Sequence, residues 1–154
     1  MNKPRISLLS LSAALLLGGA LAGCASSAPK PTGPVTLDGS IYKLLAAGGS
    51  LDGRQVQFLE RGDTIRGCLV SGGARLRDAV GIEPGMNIFQ LKKVKDNEWE
   101  GVYRAIDPGG GIAEKPVTVF FEGDTLTWNL ESATWERQEE TNQLEEAQVA
   151  RCTQ

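Results

Sequence analysis

Between Pro116 and Glu131 the chain writes a strand, a bend and a strand in a two-residue rhythm. Val117, Val119 and Phe121 alternate with their neighbours, Gly123-Asp124 interrupts, and Leu126, Trp128 and Leu130 alternate again. A period of two places such residues on one face of an extended backbone, and Gly-Asp between two such runs is a hairpin bend. The pattern occurs in two earlier stretches. Gln55–Leu59, with Val56 and Phe58 on one face, runs through Gly62-Asp63 into Thr64–Val70. Asn87–Lys95, with Phe89 and Leu91 aligned, runs through Asp96-Asn97 into Glu98–Ile106, where Trp99, Gly101, Tyr103 and Ala105 share a face. Trp135 marks a seventh strand. Six or seven short antiparallel strands predict a mainly β domain, a small partly open barrel or sandwich.

The N-terminus carries a different message. Lys3 and Arg5 precede an apolar run, Ile6 to Ala22, broken only by small residues. Basic, then apolar, then small is the order of a secretory signal. A retained transmembrane helix is the competing reading. It is disfavoured because the run is short for a bilayer and no charge flanks its far end. Leu21-Ala22-Gly23-Cys24 resembles the lipobox of bacterial lipoproteins. That resemblance implies a diacylglycerol thioether on Cys24, cleavage before it, and acylation (palmitate or similar) of the new amine. Two or more chains hold a protein on a membrane where one does not, at about 0.8 kcal/mol per buried methylene. Ala25 rather than aspartate after the cysteine implies, within that family, an outer-membrane protein facing the periplasm. Residues 1–23 are then the signal peptide, residues 24–36 the lipidated cysteine and tether, and residues 37–154 one domain. The tether's small residues and prolines favour extended polyproline conformations, roughly 3.1 Å per residue.

Of the three cysteines, the lipobox resemblance spends one. Cys68 and Cys152 remain in a chain bound for an oxidising compartment, and a disulfide between them is expected. Local geometry supports it. Ile65 and Leu69 share a face of their strand and Cys68 points the other way. Glu136 to Arg151 lacks glycine and proline and reads as a helix, with Leu144, Ala147, Val149 and Cys152 as sparse apolar positions; a disordered acidic tail competes with it. A helix packed on the outside of the sheet could bring Cys152 to Cys68. Two other stretches have weaker signals. Asp38 to Ala47 reads as a short helix or an extended lead-in, and Ala74 to Val80 as one or two helical turns. Asp107 to Ile112 is glycine-rich loop.

No histidine is present, which removes Ser-His-Asp and Cys-His nucleophiles and His-ligated metals. Glu60 and Glu122 flank equivalent bends and read as solvated carboxylates. The chain is therefore expected to be no enzyme, with neither cofactor nor metal. Its net charge is −3, and the leader holds only basic charges, so the mature domain is more acidic still. That is a poor match for nucleic acid. Trp99, Tyr103 and Trp128 are candidates to line an apolar pocket, although rings in a small domain more often fill the core. Trp99-Glu-Gly101-Val-Tyr103 and Val119 to Leu126 resemble small lipocalin-type barrels, while the lipocalin Gly-x-Trp signature is missing from the first strand. The functional expectation is a non-catalytic envelope lipoprotein that docks to another envelope component. A small apolar-ligand carrier is the alternative, and a carboxylate hydrolase trails both.

Overall fold

The computed structural model describes residues 33–46, 49, 51–73, 83–106, 111–139 and 143–154. The leader, Cys24 and most of the tether lie outside them, as do Ala74–Val80 and most of the Asp107–Ile112 loop. Among the described residues eight strands follow one another: β1 (Ile41–Leu45), β2 (Gln55–Arg61), β3 (Thr64–Ser71), β4 (Asn87–Lys95), β5 (Glu98–Ile106), β6 (Ile112–Glu122), β7 (Thr125–Trp128) and β8 (Thr134–Gln138). The helix α1 (Glu146–Thr153) ends the chain. Each strand pairs antiparallel with the next, and β8 returns to β1 over five residue pairs from Ile41–Gln138 to Leu45–Thr134.

The domain is thus mainly β with a C-terminal helix, as expected. The partly open barrel, the sandwich and the count of six or seven strands are corrected to a closed barrel of eight. Two strands account for the difference. Ile41–Leu45 is β1, not a helix: Tyr42 and Leu44 alternate into the core, and Leu44 lies opposite Trp135. Thr134–Gln138 is β8, the seventh strand that Trp135 marks, so the stretch read as helix from Glu136 begins as strand, and the helix α1 runs from Glu146. Among the residues of β8 only Trp135 is fully buried, which left little apolar signal to read. Closure joins two edges that would otherwise present unpaired backbone groups.

The barrel has two unlike ends. At one end the tight bends of β2–β3, β4–β5 and β6–β7 gather. Each turns through a left-handed residue, Gly62 at φ 63°, Asn97 at 61° and Gly123 at 60°; asparagine tolerates there what glycine adopts freely. This hairpin end is plugged by the incoming chain. Asn97 accepts from Val35 N at 3.0 Å and donates to Gly33 O at 3.3 Å, and Leu37 is buried in the core. The other end carries the longer β1–β2, β3–β4, β5–β6 and β7–β8 connections and is called the loop end.

Inside, rings dominate. Tyr42 meets Phe58 at 5.6 Å and Phe121 at 5.5 Å between centroids, and Phe58 meets Phe121 at 5.5 Å, each nearly edge to face. Such geometry adds roughly 0.5–1.5 kcal/mol per pair to the area buried. Gly101 keeps the wall tight between Trp99 and Tyr103: a Cβ there would collide with the backbone oxygen of Gln90.

Outside, α1 lies against β3 and β4. Leu59 and Cys68 form a second apolar cluster with Leu144 and Cys152, flanked by Val70 and Val149. Cys68 and Cys152 are bonded, Cα to Cα 5.7 Å, as the outward aim of Cys68 predicts. Closing an 84-residue separation is worth about 4–5 kcal/mol in the chain-entropy account. Two amides seal the seam. Gln57 Oε1 accepts from Leu144 N at 3.0 Å, and Asn87 donates to Cys152 O at 3.2 Å. No helix among the described residues is long and apolar enough to cross a membrane.

Candidate functional site

The three predicted ring residues part company. Tyr103 and Trp128 meet at the loop end, ring centroids 5.1 Å apart. Trp99 lies four residues earlier on β5, roughly 13 Å away along a strand. It sits at the hairpin end, beside a shallow groove that Val35 and Asn97 also line. It belongs to the plug and not to the Tyr103–Trp128 pair.

Two further rings and a cation complete the loop-end cluster. Trp135 meets Trp128 at 5.3 Å and Phe89 at 5.7 Å, and Phe89 meets Tyr103 at 5.0 Å. Arg54, the residue before β2, is wholly buried. Its Nη1 donates to Tyr103 Oη at 2.6 Å. The sequence reading missed Arg54, although a signal was present: positions 54, 56 and 58 share one face, so the alternation of Val56 and Phe58 carries one step back to an inward arginine.

The electrostatics of this cluster are unusual. A guanidinium keeps its charge at any ordinary pH. Among the described residues no carboxylate forms an ion pair with Arg54, and its Nε and Nη2 are buried without a hydrogen-bond partner. The indole nitrogens of Trp128 and Trp135 are likewise buried and unpartnered. Burying a donor without a partner costs about 1–3 kcal/mol, more for a charged group. The Tyr103 hydroxyl is held above its ordinary pKa. Burial is the chief cause; the nearby Arg54 charge pulls it down, Glu131 pushes it up, and the hydrogen bond from Arg54 pulls it down again. Tyr103 therefore stays protonated at neutral pH.

Around this cluster stands an apolar collar. Leu51, Met86, Leu130 and Ala133, from the connections at this end, and Ala105, near the end of β5, are partly buried and pack on the core. The chemistry on offer is a set of N–H donors, one fixed positive charge and a greasy rim. That set can bind an acceptor or an anion. Among the described residues no three histidine, cysteine, aspartate or glutamate side chains gather as a metal site requires.

The outer wall carries grooves of another kind. One lies over β4, β5 and β6, lined by Lys92, Val94, Glu100, Pro116 and Thr118. Another runs beside the end of α1, past Met86, Gln90, Arg104 and Arg151. No family model matches this chain, and neither a curated protein nor a solved structure matches it at a significant level.

Proposed function

We propose that this chain is a lipid-anchored protein of the bacterial envelope whose barrel is a non-catalytic module that docks to another envelope component. The lipobox-like Leu21-Ala22-Gly23-Cys24 supports the anchor. The observation that carries the docking reading is the ring-filled interior of the hairpin half, which leaves the outer wall and the loop end as binding surface. The chain enters through the hairpin end, where Asn97 grips Gly33 and Val35, so a tether to the bilayer attaches there and the loop end is the free end.

The test has two parts. Cys24→Ser should leave an unprocessed, unlipidated precursor; unchanged processing and membrane partition would refute the anchor. The tethered wild-type chain, cross-linked in intact envelopes and identified by mass spectrometry, should yield one envelope protein in stoichiometric amount. Recovery of small molecules with no protein would refute docking.

A second reading, a carrier of small apolar ligands, is favoured by one observation: the unpartnered donors of Arg54, Trp128 and Trp135 under the collar. In that reading Tyr103 and Trp128 take part and Trp99 does not.

A further inference from the structure

Buried polar groups in folded proteins almost always find partners, so a cluster of orphans in one place calls for a cause. Here four nitrogens stand without partners at one end of one barrel: Nε and Nη2 of Arg54 and the indole nitrogens of Trp128 and Trp135. All four donate and none accepts. They are tied together by contact, since Arg54 bonds Tyr103, Tyr103 packs on Trp128, and Trp128 packs on Trp135. The cluster carries one positive charge with which no carboxylate among the described residues forms an ion pair. Its complement is a group with several lone pairs and one negative charge.

A carboxylate fits that description: two oxygens, about four lone-pair sites, and the planar shape that a guanidinium fork matches. What surrounds the cluster selects the rest of the molecule. Leu51, Met86, Leu130 and Ala133 offer partly exposed apolar surface, while the interior below is already filled by Phe58, Phe89 and Phe121. We propose that the loop end of the barrel binds an amphipathic monocarboxylate, its carboxylate held by Arg54, Trp128 and Trp135 and its apolar chain held by the collar. Tyr103 is a positioning residue: its hydroxyl takes Arg54 Nη1 and leaves Nε and Nη2 for the ligand. Glu131, whose charge is felt at Tyr103, opposes a free anion at the rim, and an apolar chain has to outweigh that repulsion. The inference rests on the carrier reading and names its ligand class.

The test titrates the purified full chain with octanoate and, separately, with octanol, reading tryptophan emission and the carboxyl signal of [1-13C]octanoate. Octanoate should bind and shift the emission, and its bound carboxyl should stay ionised below the pH at which the free acid protonates. Arg54→Met should weaken octanoate at least tenfold and leave octanol unchanged. Trp128→Phe keeps the ring and loses one donor; it should weaken octanoate several-fold and spare octanol, and it serves if the arginine variant fails to fold. Octanol binding without octanoate binding would overturn the carboxylate site while sparing the carrier reading. Failure of both ligands to bind would overturn both. Equal octanoate affinity in wild type and Arg54→Met would overturn the role of the guanidinium.

Discussion

Two arginines at opposite ends of the same barrel are treated in opposite ways. Arg137, on β8 at the hairpin end, is half-buried, and its Nη2 donates to Thr36 O at 3.3 Å while its backbone N donates to Asp124 O at 2.7 Å. It helps hold the incoming chain in place. Arg54, at the loop end, is wholly buried with two nitrogens unmet. The ends differ likewise in their aromatic groups. The rings at the hairpin end, Tyr42, Phe58 and Phe121, form an apolar knot in which only the Tyr42 hydroxyl lacks a partner. The loop-end rings surround a charge and carry two idle indole donors. A domain that gathers four unsatisfied nitrogens, one buried charge among them, at one end and leaves a single hydroxyl unmet at the other separates two tasks: the hairpin half holds the fold, and the loop half is kept ready for something that accepts hydrogen bonds.

The contrast can be broken most sharply in the knot. Phe58→Ala removes a ring that touches Tyr42, Phe89 and Phe121. It should cost about 3–5 kcal/mol, read as a fall in the denaturant midpoint at unchanged slope. A loss under about 1 kcal/mol would mean the hairpin half is not the stabilising one. Next is the outer staple. Cys68→Ala with Cys152→Ala should cost about 2–5 kcal/mol, the chain-entropy figure being the upper end, and release α1, seen as earlier amide exchange in residues 144–153; wild-type stability on removing both sulfurs would contradict the pairing.

Alkali probes the knot without mutation. The Tyr42 hydroxyl is pushed up from 10.0 to about 12, chiefly by burial, against the pull of Arg137 and with a push from Asp124. The folded state keeps that proton longer than the unfolded chain does. Stability is therefore whole below pH 10 and is lost as pH rises towards about 12, on the order of 2–3 kcal/mol at about 1.4 kcal/mol per unit. Tyr42→Phe should flatten the decline in a pH series of melts, leaving the smaller slope that Tyr103, shifted in the same direction, supplies. An unchanged slope would remove Tyr42 from the account. The smallest effect belongs to the outer wall. Arg104 and Glu114 pair across β5 and β6 at 2.9 Å in partial exposure. Glu114→Gln should cost less than about 1 kcal/mol, showing that the loop end is sensitive inside and not on its surface; a loss of several kcal/mol in the same denaturant series would contradict that.

Much of this architecture was legible in the sequence, for an identifiable reason. Strands bounded by tight bends and carrying large residues every second place announce themselves: Asn87–Lys95 and Glu98–Ile106 were read with the bounds they have. The aim of Cys68 followed from Ile65 and Leu69 on the same strand. Closure was not legible, because β1 and β8 pair across almost the whole domain and pairing at that range leaves no local pattern. β8 was legible only through Trp135, its one fully buried side chain, while its polar remainder reads as the start of a helix. The candidate site was half legible. Aromatic residues at strand spacing revealed Tyr103 and Trp128, but nothing in composition says that Trp99, on the same face, lies at the other end. Arg54 was obscured by its chemistry: beside Gly53 and Gln55 an arginine reads as a solvated turn residue, and only its place in the inward register betrays it.

The division of labour between the two ends meets its plainest test in one double variant. Arg54→Met with Tyr103→Phe removes the buried charge and its hydrogen-bond partner together and replaces them with apolar groups of similar size. Such exchanges are neutral or stabilising by about 1–4 kcal/mol when the buried charge was uncompensated, and each 1 kcal/mol moves the melting temperature by several degrees in a domain this size. Thermal unfolding of the full chain should show the double variant melting no lower than wild type, and several degrees higher if the charge is as poorly compensated as its two idle nitrogens indicate. A fall of several degrees would mean that Arg54 holds the fold together, and that the loop end is built for stability like the rest.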